Sequence, residues 1–173
     1  MWAIIHNIIK FGSVVDTIVV LYRKRDTMEK IPIQSESLYV FPMIEREIGE
    51  IERVAQLFAP NTQEEFIQKF ISHAHSTHIT LFDEDSWKIL ENSDSFGISV
   101  HDWAEVAHHA VQGHTDHPRD WKDIKEKLEK GIAVDAPIIL KRGGVFHLVS
   151  GNTRLMVARA LGIKPAVLIV TMD

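Results

Sequence analysis

Residues 136–170 read APIILKRGGVFHLVSGNTRLMVARALGIKPAVLIV, and the order of apolar runs and glycines in this stretch decides the fold. Ala136-Pro137-Ile138-Ile139-Leu140 is short and β-branched, with proline at its start, where a missing N–H harms a ladder least. Gly143-Gly144 supply the positive φ angles of a tight hairpin, so Val145-Phe146-His147-Leu148-Val149 returns as a second strand. Ser150-Gly151-Asn152 breaks that strand. Thr153 to Leu161 reads as a helix with Leu155, Val157, Ala158 and Leu161 as its apolar contacts, and Gly162 ends it as a left-handed cap. Val167 to Val170 forms a last strand. Before this stretch, a helix from Asp120 carries Trp121, Ile124 and Leu128 and stops at Gly131.

Upstream the pattern is helical. Pro42 suits a first helical turn, and Ile44, Ile48, Ile51, Val54, Ala55 and Phe58 recur at spacings of three and four. Glu45, Arg46, Glu47, Glu50, Glu52 and Arg53 fill the other face, so a helix is expected over Met43–Phe58. Thr62 with Glu65 has the spacing of a capping box opening Gln63–His73. A short helix is expected around Glu84–Glu91, with Asp83, Glu84 and Asp85 at its start, where the helix dipole favours acids. Another follows Ser99 or Val100, with Trp103, Val106, Ala107, Ala110 and Val111 as its stripe and Gly113 as its end. The expected architecture is α+β, with a small mixed sheet in residues 120–173 preceded by a mainly helical region, 42–119. Residues 1–41 are expected to form an N-terminal extended segment outside the compact fold.

The chain has 173 residues, a formal charge of −5 and no cysteine. Its length suits one domain with a helical extension. The acidic balance gives no general attraction to phosphate backbones, so nucleic acid would need a local basic patch. Absence of cysteine removes disulfides, thiolate ligands and a cysteine nucleophile, and a cytoplasmic location is expected. Met1–Tyr22 is apolar, but His6, Asn7, Lys10 and Asp16 interrupt it and Arg23-Lys24-Arg25 follows it, so a strand or helix pair is expected there and not a membrane span. Recognisable patterning begins soon after Met28, an alternative natural start.

The chemistry concentrates at Ser150-Gly151-Asn152-Thr153-Arg154. A strand delivers the chain to a helix start, whose unpaired N–H groups and dipole attract phosphate. Gly151 gives an anion access to the backbone, Ser150 and Thr153 offer hydroxyls, and Arg154 offers a charge-assisted fork. An ordinary helix cap has the same spacing. His147, on the strand entering the motif, is either a half-buried, hydrogen-bonded side chain or a nucleotide contact. Lys141 and Arg142 at the hairpin read as solvated charges.

The run from Ile124 to Val170 resembles the core of the ParB/sulfiredoxin superfamily. The matching elements are Lys130-Gly131, Pro137-Ile138-Ile139-Leu140, Gly143-Gly144, Phe146-His147-Leu148-Val149, Gly151-Asn152-Thr153-Arg154 and Pro165-Ala166-Val167-Leu168-Ile169. The resemblance implies a nucleotide (ATP, ADP or CTP) with Mg²⁺, contacted by Gly151, Asn152, Thr153 and Arg154. It excludes sulfiredoxin chemistry, because Asn152 stands where that family carries its cysteine. Thr153 replaces the first of the paired arginines of partition proteins, and no helix-turn-helix follows. Kinase-like relatives need a carboxylate base, for which Asp135 and Glu129 are candidates by position. Two functions stay open: a small phosphotransferase or nucleotidase, or a non-enzymatic interaction or DNA-associated module. The expected partners are a nucleotide and, under the second reading, DNA or a protein, with no membrane. A cleft holding Arg154 and a carboxylate would favour the first, and a basic patch the second.

Two histidine groups, His73/His75/His78 and His108/His109/His114/His117, raise the question of a metal. On a helix His73 and His75 point apart, and neither group has the H-E-x-x-H spacing. Exposed or capping histidines are expected instead, and no metal site. Asp116, between His114 and His117, is the one carboxylate placed to join them.

Overall fold

A four-stranded mixed sheet, ordered β2-β6-β4-β5, organises the protein. The computed structural model describes residues 35–111 and 120–172. Strand β4 (Ile138–Arg142) is central, antiparallel to β5 (Val145–Ser150) and parallel to β6 (Ala166–Thr171). Gly143 and Gly144 take φ of 56° and 83° at the hairpin, the positive values that match the twist of the flanking strands. Helix α6 (Asn152–Leu161) crosses from β5 to β6 and ends at Gly162 with φ 67°. Ile138, Ile139 and Leu140 are all fully buried, as a central strand covered on both faces requires.

One face carries Ile138, Leu140, Val149, Leu168 and Val170 against α1 (Ile48–Phe58) and α2 (Gln63–His75), through Ile51, Val54, Phe66 and Phe70. On the other face Ile139, Leu148 and Val167 pack on Leu155 and Ala158 of α6, with Phe82 and Trp87. Met156, Val157 and Ala160 turn outward to Val106 of α4 (Trp103–Val111) and Leu128 of α5 (Trp121–Glu129). Helix α6 is therefore buried on two sides, which explains why its sequence is apolar nearly all round.

The α+β class stands as the sequence predicts, as do the helix, hairpin, crossing helix and last strand of 120–172; the first hairpin strand is shifted to Ile138–Arg142, and Val134–Asp135 forms a short strand that was not expected. The boundary at residue 120 does not hold: Ile79–Leu81 forms β2, antiparallel to β6, so the upstream region supplies an edge strand to the same sheet. The described residues, 35–111 and 120–172, belong to one compact unit. Part of 1–41 also belongs to it. Leu38 and Tyr39 are core residues, and β1 (Tyr39–Val40) pairs in parallel with β3 (Val134–Asp135). The helix expected from Met43 opens as a 3-10 turn, Ile44–Glu47. The helix expected over Glu84–Glu91 is only α3 (Glu84–Lys88), because Asn92 adopts φ 60° and turns the chain onto the edge of β5.

Caps differ as well. Thr62 makes no side-chain cap bond, and Glu65 pairs with Lys69 instead. Asp83 accepts from the Ser86 N–H at 2.7 Å, and this backbone bond holds its carboxyl below the usual range. Asp102 and Asp120 cap α4 and α5 in the same way. Arg142 is not simply solvated: it donates to the carbonyl of Phe58 at the C-terminal end of α1. Met1–Tyr22, Met28, Gly113, His114, Asp116 and His117 lie outside the described residues. Among the described residues, no helix is long and apolar enough to cross a membrane.

Candidate functional site

Strand β5 ends at Ser150, Gly151 turns the chain with φ 97°, and α6 begins at Asn152. The first hydrogen bond of the helix runs from the Leu155 N–H to the carbonyl of Gly151. The amides of Asn152, Thr153 and Arg154 precede it, so helix geometry gives them no partner within α6. These residues line a cleft of about 1020 Å³ together with Ser150 and Gly151, with Glu47, Glu50 and Arg53, and with Asn92, Ser93, Asp94 and His109. Three distant parts of the chain thus meet at the helix start.

One wall is a chain of polar side chains. Trp87 Nε1 donates to Ser95 Oγ at 2.8 Å, the Ser95 and Ser93 hydroxyls lie 2.7 Å apart, and Ser93 Oγ donates to Asn152 Oδ1 at 2.9 Å. A consistent direction runs from the indole to Asn152, whose amide nitrogen then remains for other partners. Segment 91–95 is laced to β5 by Glu91 N–H to the Phe146 carbonyl, Leu148 N–H to the Glu91 carbonyl and Asn92 Nδ2 to the Leu148 carbonyl. Asp94 is thereby carried to the cleft rim.

The opposite wall is charged. Arg53 donates from Nε to Glu50 at 2.9 Å and from Nη2 to the Val149 carbonyl at 3.3 Å, with its side chain 46% exposed. Arg154 is only 13% exposed. Its guanidinium donates to the carbonyls of Asp135 and Ala136, to Glu47 Oε1 at 3.1 Å and to Ser150 Oγ at 3.4 Å. Arg154 therefore does not stand free at the helix start: it ties α6 to the approach of β4 and to the turn before α1. Tyr39 lies close enough to feel this charge, but burial dominates and holds its phenol well above the usual range. Its hydroxyl is buried without a hydrogen bond.

Ser150, Gly151, Asn152, Thr153 and Arg154 line the cleft together; His147 does not. Helix α1 runs along β5 so that Arg53 meets Val149 and Phe58 meets His147, which carries the histidine away from the cleft. Its ring lies edge-on to Phe58 at 5.1 Å, with Nδ1 3.7 Å from Glu91 and neither nitrogen hydrogen-bonded. Asp135 offers only its carbonyl, to Arg154, and Glu129 pairs with Lys125 on α5. The carboxylates of the cleft are Glu47, Glu50 and Asp94. Sequence reading missed them as site residues, along with Arg53 and Ser93: Glu47, Glu50 and Arg53 look like the solvated face of an amphipathic helix, and Ser93 and Asp94 lie in an irregular segment, while His109 was singled out only as one of a histidine group. His73 is occupied with the carbonyl of Thr171 and His75 stacks on Phe41. Among the described residues no cluster of three metal-ligating side chains forms.

His147 makes stability depend on pH. Burial holds its imidazole below the ordinary range, Glu91 opposes this, and Arg53 adds to it. The unfolded chain is then the better proton binder, so stability is full above about pH 6.5, the ordinary histidine value, and falls as pH drops below it. His147→Leu removes the titrating group and is expected to flatten this decline; urea titrations on either side of that pH would show equal slopes if the assignment were wrong.

Comparison of the chain with protein-family models, with curated proteins and with solved structures returns no match.

Proposed function

We propose that the protein binds a nucleotide by its phosphates at the start of α6 and acts as a small phosphotransferase or nucleotidase. The observation that carries this reading is the convergence of a helix N-terminus, two arginines and three carboxylates in one cleft. The resemblance of Ile124–Val170 to the ParB/sulfiredoxin core supports the same position. Amides of Asn152 and Thr153 and the Thr153 hydroxyl would hold phosphate oxygens, and Arg53 is the cation with freedom to close on them.

Electrostatics then demand a counter-charge. Among the described residues, Glu47, Glu50 and Asp94 outnumber Arg53 and Arg154 in the cleft, so a bare polyphosphate would meet repulsion. Mg²⁺ takes oxygen ligands and is commonly held by one or two carboxylates together with phosphates. Glu47 and Glu50 fit this role, because each engages its arginine through one oxygen only. Bound there, the ion would neutralise phosphate charge. The acidic lining weighs against a DNA-associated module, which needs a basic surface.

Calorimetry and thermal shift against ATP, ADP, CTP and GTP test the reading. Stabilisation of about 2.7 kcal/mol is expected at a hundred times the dissociation constant, with Mg²⁺ and not without it. Arg53→Ala is expected to weaken binding by about 10- to 100-fold, the loss of a charge-assisted bond, with little change in melting temperature. Equal affinity in the variant would remove Arg53 from the site.

A further inference from the structure

The cleft also holds an imidazole and a carboxylate that the phosphate cradle does not use. His109, on α4, is the only histidine among the described residues that lines it, and its side chain is 18% exposed. Glu105, one turn earlier on the same helix, lies 3.1 Å from Nε2, and Asp94 Oδ2 lies 3.7 Å from Nδ1. A carboxylate at Nε2 favours the tautomer with its proton there, which leaves Nδ1 as the basic nitrogen. Asp94 stands beside that nitrogen without bonding it directly. The position of Asp94 is set by the neighbouring Ser93, which donates to Asn152 at the first residue of α6. The His108 ring lies beside His109 at 5.7 Å.

We propose that His109 is the general base for phosphoryl transfer in this cleft, oriented by Glu105 and with Asp94 stabilising its protonated form. The proposal rests on the phosphate site described above. An acceptor hydroxyl, of an alcohol or of water, donates its proton to Nδ1 as its oxygen bonds to the terminal phosphorus. The bond from that phosphorus to the bridging oxygen breaks, and its electron pair departs with the nucleoside diphosphate. The imidazolium so formed faces Asp94, which offsets its charge. Asp94 is thus a positioning residue and His109 a catalytic one.

The test uses the full chain with Mg²⁺ and the nucleotide that binds best, measuring affinity by calorimetry and formation of the nucleoside diphosphate with water alone and with added small alcohols. His109→Ala is expected to keep its affinity within about threefold and to lose turnover by about 10²-fold or more, as for other general bases. Added imidazole is expected to restore part of that turnover, which a purely structural histidine would not allow. Asp94→Asn, retaining the shape of the loop, is expected to lower kcat with little change in KM. Turnover of His109→Ala within threefold of wild type, or a wild type that binds nucleotide but forms no nucleoside diphosphate under either condition, would overturn the base assignment while leaving the binding site standing. A wild type that binds no nucleotide would overturn the phosphate site, and this proposal with it.

Discussion

Gly151→Ala is expected to destabilise the protein by about 3–5 kcal/mol. The position has φ 97°, and a Cβ placed there would lie 2.8 Å from both Cα and Cβ of Pro137. Backbone strain of this kind costs about 1–3 kcal/mol for a residue with a side chain. The clash adds about 1–3 kcal/mol, the usual range for overpacking, because the atoms met are the backbone and ring of a proline at the start of the central strand. Arg154 Nε, 3.1 Å from the same point, must also move. In a thermal melt the loss corresponds to about 10–20 °C for a domain of this size. Gly162→Ala is the control: its φ is 67°, but the nearest atoms, of Val100, lie at 3.7 Å. Only the conformational term of about 1–2 kcal/mol applies. Equal losses in the two variants would show that the approach of Pro137 contributes nothing.

Arg154→Ala is the second large effect, because this arginine supports the fold as well as the cleft. Truncation leaves the carbonyls of Asp135 and Ala136 without their donor and the Glu47 carboxylate, itself largely buried, without its partner. Breaking a buried pair from one side costs about 3–5 kcal/mol; access of water to the cleft lowers the expectation here to about 2–4 kcal/mol. Arg154→Lys recovers only part of this, since an ammonium cannot reproduce a fork that reaches two carbonyls and a carboxylate at once. A double-mutant cycle with Glu47→Gln in urea should return a coupling of about 1–3 kcal/mol. Additive losses would mean that the two side chains do not support each other. Loss of nucleotide binding in Arg154→Ala would therefore mix folding with recognition, and Arg53→Ala is the cleaner probe.

The hairpin, α6 and its glycine cap were legible because each is written locally: Gly143-Gly144 between apolar runs, and Gly162 after Leu161. Strand β2 was not, since Ile79-Thr80-Leu81 is too short for a period and becomes a strand only by pairing with β6. The capping box at Thr62 fails for a similar reason, as Lys69 competes for Glu65 one helical turn on. At the site, Ser150–Arg154 stood out through its position after a strand and before a helix. Its partners did not, because Glu47, Asp94 and His109 reach it only when α1, the 91–95 segment and α4 are packed around α6. His147 misled because nearness in sequence to Ser150 does not bring its side chain to the helix start: the ring packs on Phe58 of α1 and does not line the cleft.

Amide chemical shifts in a titration with Mg²⁺ and ATP test the central claim most directly, because they read the start of α6 without altering it. Saturable shifts are expected to centre on Gly151, Asn152 and Thr153 and to extend to Ser93 and Arg53, with little change at His147. Shifts centred elsewhere, or none at saturating nucleotide, would contradict that claim.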